Sequence, residues 1–215
     1  MDGASVAALT SDLFFNSNNR NSIFNLDFKN AFNSVHRSAI YDIIQKEFPE
    51  LSSYFYLFYG KTGEQIYESY TLFSTSGVKQ GDPLGPLLFC LAIHKFLIHL
   101  SNRYPMLKIV GYMDDISIIG LLNVLNEIAS EASLFVRDIG LLLNADKCLL
   151  IGNVKDRLTI DGVEIPFLNY SSDAFRFLGC WLGNVPKITE ELSNLLMKLG
   201  SELDTISSFE IEKHI

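Results

Sequence analysis

The residues of this chain best suited to chemistry are three aspartates. Asp114 and Asp115 are adjacent, bracketed by Ile109-Val110-Gly111-Tyr112 on one side and Ile116-Ser117-Ile118-Ile119 on the other, and Asp27 ends the short apolar run Ser22 to Phe28. An Asp-Asp pair is common in a solvated hairpin, because Asp suits turns. The apolar flanks here point instead to a hairpin buried on at least one side. Two carboxylates held together there repel by ~4 kcal/mol at an effective dielectric of about 20. A divalent cation removes that penalty and inverts the local pKa logic. Hard carboxylate oxygens suit Mg²⁺, which keeps waters and takes substrate phosphate oxygens as further ligands. If the strand ending at Asp27 pairs beside the 109–119 hairpin, all three carboxylates converge. Two metals held there would stabilise the attacking and leaving oxygens of an in-line phosphoryl displacement.

The elements that must position these residues follow from periodicity. Residues 22–28 alternate as a strand ending near Asp27. Ser34 is placed to cap a helix carrying Val35, Ala39, Ile40, Ile43, Ile44 and Phe48, with Pro49 beyond it. Leu51 to Tyr59 reads as an aromatic-rich helix stopped at Gly60, and Glu68 to Ser74 as a strand. The Gly- and Pro-dense stretch Gly77 to Gly85 is a loop feeding a long helix, Pro86 to Leu100. Leu107 to Ile119 reads as two strands with an acidic turn between them. Leu121 to Ile139 is an amphipathic helix closed by Gly140. Lys147 to Ile151 is a strand, Arg157 to Ile165 a hairpin turning at Asp161-Gly162, Phe175 to Leu182 a strand pair, and Thr189 to Ile206 an amphipathic helix with Leu192, Leu195, Leu196, Leu199 and Leu203 on one face. The order predicts an α+β sheet with helices packed on one face.

Composition bounds the setting. Nearly half of the 215 residues are apolar, which argues for a folded chain rather than a disordered one. No apolar run is long enough for a membrane span, and the first ten residues lack a signal-peptide pattern. Cys90, Cys148 and Cys180 are widely spaced with no C-x-x-C pair, which fits a reducing, intracellular setting, nucleus or cytoplasm undetermined. The net charge of −8 counts against a self-sufficient nucleic-acid binder, since phosphate contacts need clustered Lys and Arg. His36, His94 and His99 show no ligand spacing and are read as structural or exposed.

Four ordered segments resemble the palm of reverse transcriptases, nearer the non-LTR retrotransposon and group II intron type than the retroviral type. Asp27-Phe28-Lys29-Asn30-Ala31-Phe32 matches the family's D-x-x-x-A-F motif. Residues 77–89 match the G-x-x-Q-G-x-P-x-x-P-x-L-F loop and helix. Tyr112-Met113-Asp114-Asp115 is the Y-x-D-D box, and residues 140–148 resemble the G-L-x-x-N-x-x-K motif. Phe177-Leu178-Gly179 resembles the F-L-G turn called the primer grip. The resemblance implies a ferredoxin- or RRM-like antiparallel sheet and RNA-directed DNA polymerase activity. Its substrates would be deoxynucleoside triphosphates, on an RNA template with a DNA primer, and its cofactors two Mg²⁺ ions, with Mn²⁺ as a substitute.

It also implies roles. Asp27 and Asp114 would ligate both metals, with Asp115 assisting and the Phe28 carbonyl completing one shell. Phe32 would be a steric gate against a 2′-hydroxyl. Gln80 and Gly81 would line the nucleotide pocket. Lys147 would protonate or neutralise the leaving pyrophosphate. Phe177, Leu178 and Gly179 would position the primer.

The sequence departs from the family pattern at Asn33, where a second Asp is usual, and at Gly85, where Ser is common. Residues 1–20 are expected to hold the last helix of a truncated fingers region, 21–185 the palm, and 186–215 the start of a thumb or connecting helix. Most basic duplex-binding surface would then lie on fingers and thumb, supplied by another segment or chain. An inactive palm remnant, or a domesticated binding module, is the alternative reading.

Overall fold

The computed structural model describes residues 3–67, 70–153 and 157–208. From the N-terminal side these form helix α1 (Gly3–Asn16), strand β1 (Asn21–Leu26), a short helix α2 (Ala31–Ser34) and helix α3 (Arg37–Glu47). A 3₁₀ turn leads to α4 (Ser52–Tyr59), followed by the hairpin β2 (Gly63–Tyr67) and β3 (Tyr70–Ser74) and the long helix α5 (Gly85–Arg103). Strands β4 (Lys108–Tyr112) and β5 (Asp115–Leu121) precede α6 (Leu122–Asp138). Six short strands follow: β6 (Leu149–Gly152), β7 (Thr159–Ile160), β8 (Val163–Glu164), β9 (Phe167–Asn169), and β10 (Ala174–Phe177) with its partner β11 (Cys180–Gly183). Helix α7 (Val185–Ser208) follows.

β1 lies at the centre of a five-stranded sheet ordered β4-β5-β1-β6-β9, antiparallel except for the β6–β9 pair. Side chains alternate across it with a period of two. Phe24 and Leu26 of β1, Ile116 and Ile118 of β5 and Leu150 of β6 face a core shared with α3, α5 and α6. Ile23, Ile119 and Ile151 face the other way, toward Ala8 and Phe15 of α1 and Phe175 and Phe177 of β10. The expected α+β sheet with a helical layer is therefore present, and α1 and the β10–β11 hairpin cover part of its second face.

Several elements differ from the sequence expectation. Ser34 ends α2 instead of capping α3, and α3 starts at Arg37 after His36 with no side-chain cap. The cause is Val35, whose side chain is fully buried and whose backbone is extended, its carbonyl accepting from the Gly77 N–H at 2.8 Å. The strand read as 68–74 is described only from Tyr70, because Glu68 and Ser69 lie outside the described residues. Strand β2 has no clear alternation, and β9 is only three residues long, so neither was foreseen. Helix α7 begins at Val185, and its leucines 192, 195, 196, 199 and 203 are all exposed.

Two turns follow their sequence signals. Asp161 and Gly162 both take positive φ (52° and 83°), the geometry of the favoured two-residue hairpin turn. Gly140 closes α6 at φ 84°, where a Cβ would lie 2.3 Å from the His36 ring, so this position admits only glycine. Among the described residues no helix is long and apolar enough to cross a membrane.

Candidate active site

Strand register brings the acidic residues to one end of the sheet. Leu26 of β1 pairs with Ile116 of β5, so one step further Asp27 comes beside Asp115. Parity then assigns the face: Asp115 and Ser117 share the side of Ile119, and Asn25 and Asp27 that of Ile23, opposite the helical core. Tyr112 pairs with Asp115, leaving Met113 and Asp114 as a two-residue turn. Met113 holds φ 57°, a region uncommon for a residue with a Cβ, and such local strain clusters at functional sites.

The three carboxylates share one electrostatic field. Burial pushes the Asp115 carboxyl above its ordinary range, and the charges of Asp114 and Asp27 push it further. Among the described residues, no three His, Cys, Asp or Glu side chains are gathered into a metal-holding group. Behind the turn, Cys90 of α5 has its thiol raised by burial and by the charge of Asp114, an effect partly offset by the backbone of Met113.

Asp27 is held by the 140–148 segment, a contact that sequence reasoning did not anticipate. Its N–H donates to Cys148 Sγ at 3.3 Å, and its carbonyl accepts from the Asn144 N–H at 2.8 Å, with the Cys148 thiol 3.6 Å away. Phe28 bridges Leu143, and the Lys29 N–H donates to the Leu142 carbonyl at 2.8 Å. Cys148 is fully buried, and burial pushes its thiol up to about 11, so it stays protonated and can donate and accept together. Cys148→Ala leaves the Asp27 N–H without its partner. We expect a loss of about 1–3 kcal/mol in chemical denaturation, with Cys148→Ser recovering part of it.

A cleft of about 350 Å³ opens beside Asp115, between the sheet and the β10–β11 turn. Asn25, Ser117, Phe177, Leu178 and Gly179 line it, so the primer-grip segment and one carboxylate share a surface. Leu178 and Gly179 take positive φ (48° and 82°), which makes this turn as tight as the hairpin at 161–162. Phe177 is buried in the second core and anchors the turn.

The remaining candidates are placed elsewhere. Phe32 stacks on buried Phe89 of α5, ring centroids 4.7 Å apart. Gln80 is exposed and lines a different, polar cleft with Asn33, Ser74, Ser76 and Lys79. Gly81, at φ 83°, has open space where a Cβ would stand. Lys147 is exposed in the turn before β6. The structure thus brings Asp27, Asp114 and Asp115 to one end of the sheet, with the 177–179 turn across the cleft from Asp115, ties Phe32 to the same helix as Cys90, and leaves Gln80 and Gly81 on a neighbouring loop.

That loop is fastened by residues the sequence did not single out. Arg37 donates to the carbonyls of Ser74, Ser76 and Gly77 and to Ser74 Oγ, at 2.8 to 3.1 Å. Asp82 accepts from Tyr54 at 2.7 Å, from Tyr59, and from the Leu84 N–H at 2.9 Å. Burial acts to raise the Asp82 carboxyl, but these donors and Lys79 outweigh it and hold it below the ordinary range. Tyr59 rises to about 12, from burial first and then from Asp82. Tyr54 and Tyr59 are five residues apart, about 140° around the helix, so no same-face spacing in the sequence announced the pair.

Residues 2–182 match the family described as reverse transcriptase (RNA-dependent DNA polymerase). The chain belongs to that family. Its relatives among retrotransposon proteins include the SLACS 132 kDa protein of Trypanosoma brucei gambiense, 31% identical over 60% of this chain and 11% of that protein. A second is the Pol polyprotein from the type-2 element R2DM of Drosophila melanogaster, 28% identical over 73% of this chain and 17% of that protein. The chain thus spans less than a fifth of the length of either relative. Among solved structures, apo telomerase from Candida tropicalis, truncated from its C-terminal domain, matches with TM-score 0.55 over 77% of this chain and 38% of that one. At 16% identity this shows a shared fold and no more. The reverse transcriptase family membership implied by the motifs is thereby borne out, as is the retrotransposon kinship.

Proposed function

We propose that residues 21–185 of this reverse transcriptase family chain are a polymerase palm that extends a DNA primer on an RNA template. The observation that supports the reading is the β1–β5 register, which brings Asp27 beside Asp115, next to the Met113–Asp114 turn, while Asp115 lines the cleft shared with the 177–179 turn. The donor set suits a hard divalent cation: all-oxygen ligands, with one carboxyl already raised by burial and by its two neighbours, the condition that a bound cation relieves. Asp27 and Asp114 would hold Mg²⁺ or Mn²⁺, with Asp115 and the Phe28 carbonyl assisting. Bound there, such ions supply Lewis-acid stabilisation of the oxygens at the reacting phosphorus.

The other steps belong to this chain's own residues. Cys148 and Asn144 fix the backbone of Asp27, so that its carboxylate is positioned by the segment that also carries Lys147. Phe32, braced on Phe89, would stand under the sugar and exclude a 2′-hydroxyl. The 177–179 turn would carry the primer strand along the cleft, its Phe177 rooted in the core. Gln80 and Gly81 would meet the nascent base pair from the adjoining loop, which Arg37 and Asp82 hold in place. Lys147 would lie on the pyrophosphate side as a proton donor. Deoxynucleoside triphosphates and a primer–template duplex are the substrates this reading requires, with basic surface supplied from beyond the residues that match.

The reading of an inactive remnant draws on the acidic net charge of −8. Primer extension on an RNA template with Mg²⁺ or Mn²⁺ separates the two. The assay uses the chain and a longer protein containing it, each beside its Asp114→Asn form. Extension that vanishes with Asp114 supports the polymerase; a longer protein with no Asp114-dependent extension overturns it.

A further inference from the structure

Residues 79–82 form a tight turn whose corners are Gln80 and Gly81. The Asp82 N–H closes it onto the Lys79 carbonyl at 3.2 Å. Gly81 holds φ 83°, a conformation that the second corner of a tight turn can demand and that glycine adopts without strain. One side chain reaches both ends of this turn. The Tyr59 hydroxyl accepts from the Lys79 N–H at 3.1 Å and donates to the Asp82 carboxylate. A single oxygen therefore bridges the residue before Gln80 and the residue after Gly81.

Tyr59 is held as a strut. Its ring is buried in the main core and stacked on Phe55, centroids 5.1 Å apart. The Arg37 guanidinium and the Lys79 ammonium lie over the ring, at 5.3 Å and 5.7 Å from its centre. Tyr54 donates to Asp82 at 2.7 Å and so holds one end of the turn only. Upstream, the loop is tied to the segment bearing Phe32. The Val78 N–H donates to the Phe32 carbonyl at 2.8 Å, and the Gly77 N–H to that of Val35 at 2.8 Å. The backbone around Gln80 is thus braced on both sides, while the Gln80 side chain stays exposed.

We propose that Tyr59 is a positioning residue for the incoming nucleotide, acting through Gln80: its hydroxyl fixes the turn that presents the Gln80 side chain and the Gly81 backbone to the nascent base pair. This rests on the polymerase reading and on the part Gln80 has in it. Tyr59 itself touches no substrate. It orders the turn before a nucleotide arrives, so that binding does not have to supply that ordering.

The test is primer extension by the longer protein containing this chain, as wild type, Tyr59→Phe, Gln80→Ala and the double variant. Tyr59→Phe keeps the ring and removes both bonds of the hydroxyl. It is expected to raise KM for the deoxynucleoside triphosphate roughly tenfold, with kcat and primer–template affinity within about threefold of wild type. Because the effect runs through Gln80, the double variant should be no worse than Gln80→Ala. Tyr54→Phe leaves the Tyr59 bridge whole and should raise KM less than Tyr59→Phe does. Amide exchange reads the turn without activity: the Lys79 N–H should exchange about tenfold faster in Tyr59→Phe than in wild type.

An unmoved KM overturns the role, and so does a double variant whose loss is the product of the two single losses. A Lys79 amide that exchanges equally in both forms also overturns it. If Tyr59→Phe fails to fold, Asp82→Asn weakens the same bridge at its other end and enters the cycle with Gln80→Ala, judged by the same KM and additivity. Asp114-dependent extension together with any of these adverse results sinks the Tyr59 role alone. Absence of Asp114-dependent extension sinks the polymerase reading, and the Tyr59 role with it, even where Lys79 exchange is accelerated.

Discussion

Asp114→Asn is expected to lower primer extension by about 10³-fold while leaving the fold intact, and Asp115→Asn to lower it less while making the protein more stable. The first figure follows from what a metal-held charge contributes at a reacting phosphorus: several kcal/mol, with each 1.36 kcal/mol worth about tenfold in rate. Asp114 sits in a two-residue turn whose strands are paired on both sides, so an isosteric amide leaves the ladder in place. The stability effect has its own cause. The folded state raises the Asp115 carboxyl by burial and by Asp114 and Asp27. Its favourable contribution is therefore whole below the unfolded carboxylate pKa and disappears as pH rises through the raised value.

At neutral pH the ionised Asp115 is a burden on the fold. Asp115→Asn removes that burden, and since the side chain is exposed, screening limits the gain to roughly 1–2 °C in melting temperature. The gain should shrink in acid. Mg²⁺ should also raise the melting temperature of the wild type at pH 7 and do so less for Asp114→Asn. Thermal melts at pH 7 and pH 4, with and without Mg²⁺, check all of this. An Asp115→Asn form less stable than wild type at pH 7 would contradict the electrostatic account of the site.

The second large effect concerns sugar choice. Phe32→Val is expected to raise the use of ribonucleoside triphosphates, relative to deoxynucleoside triphosphates, by roughly 10²-fold in kcat/KM. A gate discriminates only if it cannot move aside. Phe32 is stacked at 4.7 Å and 23° on Phe89, which is itself fully buried, so the ring is braced from below by the core. Removing the ring also forfeits an aromatic pair worth about 0.5–1.5 kcal/mol, visible in denaturation and separable from the kinetic ratio. Paired measurements with a deoxynucleotide and the matching ribonucleotide decide it. A ratio unmoved by Phe32→Val would make Phe32 a packing residue.

Much of this protein was readable before any coordinates. The alternation in residues 22–28 and 109–119, with the acidic residues at the strand ends, announced strands β1, β4 and β5 and the acidic turn between the last two, because side-chain period and turn chemistry are local properties that neighbouring residues state by themselves. The motif order supplied the family. The boundary at Val35 was not legible, since a buried valine and a backbone bond to Gly77, forty residues away, outweighed a good cap residue in Ser34. Tertiary structure alone could assign Cys148 to the backbone of Asp27, and Arg37, Tyr59 and Asp82 to the Gln80 loop. Tertiary structure alone also put Gln80 on a separate cleft. Each of these depends on distance through space between groups far apart in the chain, and such contacts are created when the sheet and its helices pack.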